Sequence, residues 1–306
     1  MRHRLGIDLG GTKIAGIVLG PKGETLAEGR VPTPREDYAG TLRAVADLAL
    51  ALERRAGSPC SVGVGMPGTV SPATGLVRNA NSTWLIGRPF VADLEALLDR
   101  PVRAENDANC LAVSEAVDGA GAGARVVWAV ILGTGVGSGI AVDGRALSGR
   151  GGLAGEWGHN PLPSPRDEER PGPACYCGRA GCIETWLSGP GLAADHRRRT
   201  GLAGTGETVV AALRAGDPEA RATINAYLDR LGRAVAHVVN ILDPDAIVVG
   251  GGLSRVPELI GGLAAATAPY VFGDLFDTPV RPSLHGDASG MRGAAWLWNA
   301  DPPPEG

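Results

Sequence analysis

The chain opens on an apolar run, RLGIDL, a glycine turn, GGTK, and a second apolar run, IAGIVLG. GETLAEGRVPT follows as a third extended segment, so the N-terminus predicts a β-meander. YAGTLRAVADLALALERRAG carries apolar positions at helical spacing and closes on Arg-Arg-Ala-Gly, a helix C-terminal signal. CSVGVGMPG predicts a buried strand closing on a turn, and VADLEALLDR a short helix. PVRAEND reads as a strand ending in polar residues, and DANCLAVSEAV as a helix beginning at Asp107.

Glycine and alanine dominate residues 119–123, after which RVVWAVILGTGVGSGIAVDGRAL repeats the opening plan of strand, glycine turn, strand and turn. The repetition is in plan and not in letters, as expected of a distant duplication of one β-hairpin unit. Residues 160–174, NPLPSPRDEERPGPA, predict a Pro- and charge-rich loop. Asp217-Pro218 sets a capping carboxylate and an N1 proline before a long helix. Its apolar face is expected at Ile224, Leu228, Leu231, Val235, Val238 and Leu242. DAIVVGGGLS predicts a buried strand running into three glycines, followed by a helix from Pro257, a strand near Val280 and a helix from Ser289. Strands and helices thus alternate in two successive halves, which predicts an α/β protein of two domains with a cleft between them. The expected boundaries are 1–118 plus 289–306 for the N-terminal domain and 119–288 for the C-terminal one.

Composition narrows the function classes. The 306 residues are 44% hydrophobic with a net charge of −4, which fits a soluble globular protein. No uncharged apolar run reaches the length of about 18 residues that a membrane span needs. The start, MRHRLGIDLGG, has no apolar core or small-residue cleavage site, so no signal peptide is expected. The acidic balance gives no global attraction to nucleic acid. The basic run His196-Arg197-Arg198-Arg199 is expected to be a solvated helix end. Five cysteines, an odd number, without a secretion signal point to the cytoplasm and away from a disulfide framework.

Three glycine turns each follow an apolar strand: DLGGTK (residues 8–13), LGTGVGSG (132–139) and VGGGLS (249–254). None fits the Walker pattern or a dinucleotide fingerprint. Singly, each suits a tight hairpin; together they suit a phosphate cradle, because glycine lets backbone N–H groups converge on an anion. Asp8 heads the first turn and would serve a hydrated Mg²⁺ ion, with Thr12 and Lys13 as phosphate donors. Lys13 suits an exposed strand position nearly as well. In ENDAN (105–109), Asp107 falls where a strand gives way to a helix. A carboxylate there can deprotonate an attacking hydroxyl, or it can simply cap the helix.

Cys175, Cys177 and Cys182 have the spacing C-x-C-x₄-C, with His159 sixteen residues upstream of the first. Three thiols and one imidazole make a closed tetrahedral zinc site, structural because no ligand position stays open. A redox pair would more naturally be C-x-x-C at a helix N-terminus, and Gly178 and Gly181 argue against unrelated buried thiols.

DLGGTK, GMPG, END, LGTGVGSG, GEWGH, CYCGRAGCIE and VGGGLS occur in the order found in the ROK family of sugar kinases and sugar-responsive repressors. The resemblance runs from Leu5 to Leu297. It implies a two-domain actin-like ATPase fold (hexokinase-like, ribonuclease H-like) that binds sugar in the central cleft and uses ATP and Mg²⁺. It places the general base on Asp107 and sugar contacts on Gly68, Asn81, Asn106, Asp107, Glu156, His159 and Glu184. It places the nucleotide loops on Asp8, Gly10, Gly11, Thr12, Lys13, Gly133, Thr134, Gly135, Gly137, Gly250, Gly251 and Gly252. His159 would then bind zinc through one ring nitrogen and face the sugar with the other.

The expected activity is phosphorylation of the 6-hydroxyl of fructose, mannose or glucose. GHNPLP and CYCGRAGCIETW resemble the fructokinase and mannokinase branch. The alternative acceptor is an N-acetylhexosamine, N-acetylglucosamine in particular. A sugar-sensing repressor is the alternative of another class; its DNA-binding helices would precede the first strand, which is expected to begin by Leu5. A homodimer follows from the resemblance, with no membrane or nucleic-acid partner.

Overall fold

The structure is a computed structural model, and it describes residues 3–273 and 275–298. The last eight residues of the predicted N-terminal domain, 299–306, lie outside that range. The chain divides into two compact units. The first comprises Met1–Arg125, Gly139–Gly155 and Leu284–Gly306; the second comprises Val126–Ser138 and Glu156–Ser283.

Strands β1 (His3–Leu9), β2 (Lys13–Leu19) and β3 (Thr25–Pro32) form the predicted meander, and helix α1 (Tyr38–Ala56) follows. Asp37 caps α1, accepting from the Gly40 N–H, and Gly57 ends it in the left-handed conformation. Next come β4 (Cys60–Met66), the small hairpin of β5 (Thr69–Val70) and β6 (Val77–Arg78), α2 (Phe90–Leu98), β7 (Val102–Asn106) and α3 (Asp107–Val117). The first sheet has the order β3-β2-β1-β4-β7, with β1 parallel to β4, β4 parallel to β7, and the meander pairs antiparallel.

The second series begins with β8 (Val126–Leu132), β9 (Val136–Val142) and β10 (Arg145–Ala146). Helices α4 (Ile183–Leu187), α5 (Gly189–Thr200), α6 (Gly206–Arg214) and α7 (Pro218–Leu242) follow, then β11 (Ala246–Gly250), α8 (Pro257–Thr267), β12 (Val280–Pro282) and α9 (Ser289–Trp296). The second sheet has the order β10-β9-β8-β11-β12, with β8, β11 and β12 parallel. The two orders are the same plan, so the repetition extends past the hairpin to the parallel strands.

In the first unit, α1 and α2 cover a core that includes Leu5, Ile7, Val62, Val64, Leu52 and Phe90. Ile17, Leu19, Val113, Met291 and Trp296 form a second cluster. The strand glycines have a steric cause: a Cβ on Gly63 would come within 1.8 Å of the Ala294 carbonyl oxygen. A Cβ on Gly293 would meet the Cys110 carbonyl at 1.7 Å, so α9 lies directly against β4 and α3.

In the second unit, Asp217 caps α7 with Pro218 at its first turn, as the sequence predicts. The apolar face is shifted. Ile224, Leu231 and Val235 are buried, together with Tyr227, Ala234 and Val239, while Leu228, Val238 and Leu242 are only half-buried. The shift makes room for two buried arginines on the same helix. Arg230 pairs with Glu169 at 2.7 Å and Asp195 at 2.7 Å, and Arg233 pairs with Glu169 at 2.8 Å. Glu169 is therefore no solvated loop charge. Its arginine partners hold its carboxyl below the usual range, although burial alone would raise it. The basic run also departs from expectation at one position: Arg197, Arg198 and Arg199 do end α5, but His196 is buried with Nδ1 2.9 Å from Thr223 Oγ1.

Candidate active site

In the first unit, Asp8 is the second-last residue of β1, and the Gly10 N–H donates to the Lys13 carbonyl at 3.0 Å to close the turn. Thr33, the residue just past β3, fixes that turn from outside. Its hydroxyl donates to the Gly10 carbonyl at 2.7 Å and its N–H to the Thr12 carbonyl at 3.1 Å. Thr12 and Lys13 are exposed at the turn. Burial, with the nearby Asp107 carboxylate adding to it, pushes Asp8 up to about 6; Lys13 opposes the shift. The two carboxylates that the sequence singles out are thus electrostatic neighbours.

Asp107 is exposed in the first turn of α3, with Oδ1 2.8 Å from the Ala108 N–H. The helix cap is Asn106, whose side-chain oxygen accepts from that same N–H at 2.9 Å. The capping explanation for Asp107 therefore falls to its neighbour. Asn106 Nδ2 donates to the Gly68 carbonyl at 3.1 Å, bringing two more predicted positions together. Gly68 has φ 76°, and a Cβ there would meet the Arg78 carbonyl at 2.4 Å, so only glycine suits it. Asn81 is exposed beside the buried Ser82.

Sequence reasoning missed Glu105. Its carboxylate accepts from the Asn106 N–H at 2.9 Å, from Asn109 Nδ2 at 3.0 Å and from the Ser148 hydroxyl. It lies inside the quoted ENDAN stretch, but nothing in a single sequence separates a carboxylate that orients the helix start from one that reacts.

In the second unit, the second and third glycine turns are adjacent: a Cβ on Gly133 would lie 3.9 Å from Gly251 Cα and from Gly252 N. Thr134, Gly251 and Gly252 are exposed, Gly250 is buried in β11, and Gly135 and Gly137 are half-buried. Glu184, in the first turn of α4, accepts from the Val136 N–H at 2.8 Å. Glu156 is exposed immediately before the short 3₁₀ turn Trp157–His159.

The ligand atoms of His159, Cys175, Cys177 and Cys182 all lie within 4.8 Å of one another. His159 Nδ1 is 3.6 Å from Cys175 Sγ, and the Cys177 and Cys182 sulfurs are 3.6 Å apart. A tetrahedron with Zn–S of about 2.3 Å and Zn–N of about 2.0 Å has edges of about 3.5–3.8 Å, so the donor set fits zinc in both chemistry and spacing. Hydrogen bonds from the Arg179 backbone and side chain pull the Cys177 thiol down, while burial and its neighbouring thiols push Cys182 up.

The other ring nitrogen of His159 departs from expectation. Nε2 lies 2.9 Å from the Tyr176 hydroxyl, and the two rings meet edge to face at 5.1 Å. Tyr176 sits between Cys175 and Cys177 in the sequence and is 83% exposed. Its position inside the knuckle was the available signal for it.

The ROK family model matches residues 4–301. The chain belongs to the ROK family. It is 40% identical over 300 residues to an N-acetyl-D-glucosamine kinase of Escherichia coli O6:H1, covering 97% of this chain and 99% of that one. The ROK hexokinase of Thermus thermophilus has the same fold at a TM-score of 0.86 and 32% identity, covering 96% of this chain and 97% of that one. A ROK family glucokinase from Streptomyces griseus, solved with glucose and AMPPNP, matches at a TM-score of 0.75 and 28% identity, covering 96% and 98%. The ROK fold is the actin-like ATPase fold implied by the motifs. The curated relatives favour the N-acetylhexosamine alternative over the fructokinase and mannokinase branch that the knuckle segment suggests. Short motifs around a Cys/His cluster report what builds that cluster, and whole-chain identity weighs every residue that shapes the acceptor. Among the described residues, no helix is long and apolar enough to cross a membrane.

Proposed function

We propose that the protein is an ATP-dependent sugar kinase that transfers the γ-phosphoryl group of ATP to the 6-hydroxyl of N-acetyl-D-glucosamine. The observation that carries this reading is the 40% identity to an N-acetyl-D-glucosamine kinase across nearly the whole of both chains. The hexokinase and glucokinase matches are to structures at 32% and 28% identity, and they make glucose the expected weaker acceptor.

Asp107 takes the proton of the attacking hydroxyl; its exposed place in the first turn of α3, with capping left to Asn106, suits that role. Glu105 and Gly68 hold Asn106 and the helix start in position. The glycine turns give backbone N–H groups to the phosphates, and Thr12 and Lys13 add side-chain donors. Asp8 serves the hydrated Mg²⁺ that accompanies the nucleotide, a charge that would bring the Asp8 carboxyl back down from about 6. Zinc, held by His159, Cys175, Cys177 and Cys182, supplies structural rigidity and no reacting group. Glu156 and Glu184 orient the sugar from the frame so fixed, while His159 Nε2 is engaged by the Tyr176 hydroxyl.

The test is product identity. Incubation with ATP and N-acetylglucosamine should give ADP and a sugar whose phosphorus couples to the C6 protons by NMR. Phosphate on the anomeric oxygen, or no phosphorylated sugar, would overturn the proposal.

A further inference from the structure

Gly135 stands in a turn whose glycines read as a phosphate cradle, yet its own lack of a side chain has another cause. It does not lie in the left-handed region, so its backbone conformation does not call for glycine. A Cβ at Gly135 would come within 2.7 Å of Glu184 Oε2 and 3.7 Å of Glu184 Cδ. Among the described residues, and apart from its own chain neighbours, nothing else falls within 4 Å of that position. Gly133, two residues earlier, behaves differently: its Cβ would have open space up to the 3.9 Å contacts with Gly251 and Gly252.

The next residue completes the arrangement. The Val136 N–H donates to the same Glu184 oxygen at 2.8 Å. The Val136 carbonyl lies against Gly158, where a Cβ would meet it at 2.0 Å. Gly158 belongs to the 3₁₀ turn that carries His159. One residue of the glycine turn, Val136, therefore meets Glu184 through its N–H and the Trp157–His159 turn through its carbonyl.

We propose that Gly135 is a positioning residue of the sugar site: it is glycine to leave room for the Glu184 carboxylate. This rests on the reading of Glu184 as a sugar-binding group. An alanine there pushes the far end of a flexible side chain, so the fold survives while Glu184 leaves the Val136 N–H and its sugar-facing position. The damage from a substitution in a phosphate turn is then registered mainly by the sugar.

The test is a double-mutant cycle on the full chain, with Gly135→Ala, Glu184→Ala and the double variant. Binding of N-acetylglucosamine and of a non-hydrolysable ATP analogue is measured by calorimetry, with thermal melting alongside. Gly135→Ala should weaken sugar binding by about tenfold, the scale of displacing one charged hydrogen-bonding group, and nucleotide binding by less than about twofold. In the Glu184→Ala background the same substitution should cost nothing further in sugar affinity or in Tm, because the clash partner is gone. Wild-type protein that binds no sugar would overturn the functional reading and this inference with it. If wild type binds sugar, the inference alone is overturned by either of two results: Gly135→Ala weakens nucleotide binding and spares sugar, or its cost persists unchanged without the Glu184 side chain. Should Gly135→Ala melt too low for calorimetry, the Tm cycle decides, since Glu184→Ala must restore the loss.

Discussion

His159 Nδ1 lies 3.6 Å from Cys175 Sγ, in a Cys₃His cluster whose ligand atoms lie within 4.8 Å of one another inside a single compact unit. Around it, the Ile183 N–H donates to the Asn160 carbonyl at 2.9 Å and the Leu162 N–H to the Gly181 carbonyl at 3.0 Å, so the knuckle fixes the start of α4 and hence Glu184. Removing zinc with a chelator, or making Cys177→Ala, should raise the KM for N-acetylglucosamine several-fold before the KM for ATP changes. Steady-state kinetics with metal analysis checks this. Hydrogen exchange should show lost protection around residues 156–187 first.

Asp107→Asn should lower kcat by about 10³-fold, within the usual range for removal of a general base, and leave the Kd for sugar within about threefold. Single-turnover kinetics together with calorimetry separates the two effects. A near-normal kcat would move the base assignment elsewhere.

Glu169 lies between Arg230 and Arg233 with its side chain only 3% exposed, and it ties the segment after His159 to α7. Glu169→Ala leaves two buried guanidinium groups short of a partner. It should destabilise the protein by about 3–4 kcal/mol in urea unfolding. Glu258→Ala, which breaks an exposed pair with Arg214 at 2.8 Å, should leave the unfolding midpoint almost unchanged in the same experiment.

His285 Nε2 lies 3.1 Å from Asp118 Oδ1, and Asp118 also pairs with Arg292, which donates to the Gly23 carbonyl at 2.9 Å. The hydrogen bond to Asp118 raises His285 above 6.5. Burial alone would raise Asp118, but bonds from His285 and Arg292 hold it below 3.8. The raised histidine contributes stability that is complete below pH 6.5 and lost as pH climbs through its folded pKa; the depressed carboxyl contributes only above its own range. His285→Gln should therefore cost about 1 kcal/mol at pH 5.5 and little at pH 9, measured by unfolding at both pH values.

The alternation of apolar runs and glycine turns was enough to read the element order, the meander and the repeated half, because strand period and turn chemistry are local properties. The clustering of the three cysteines was legible for the same reason: their spacing lies within one short stretch, and only His159 had to be brought from further away. What escaped was set by tertiary partners. Glu169 and His196 look like solvated charges until Arg230, Arg233 and Thr223 close over them. The Tyr176 hydroxyl occupies the ring nitrogen of His159 that the sequence assigns to the sugar. Asp107 and Asn106 compete for one cap, and only the backbone geometry awards it to Asn106. The acceptor sugar was least legible, since it depends on residues spread over the whole chain and not on any motif.

Initial rates of ADP release, measured across N-acetylglucosamine, glucose, mannose and fructose, test the central claim most directly. The account predicts the highest kcat/KM for N-acetylglucosamine, by about tenfold or more over glucose, the margin expected when a site is built to hydrogen-bond a group the competitor lacks. Equal or better turnover of fructose, mannose or glucose would contradict it.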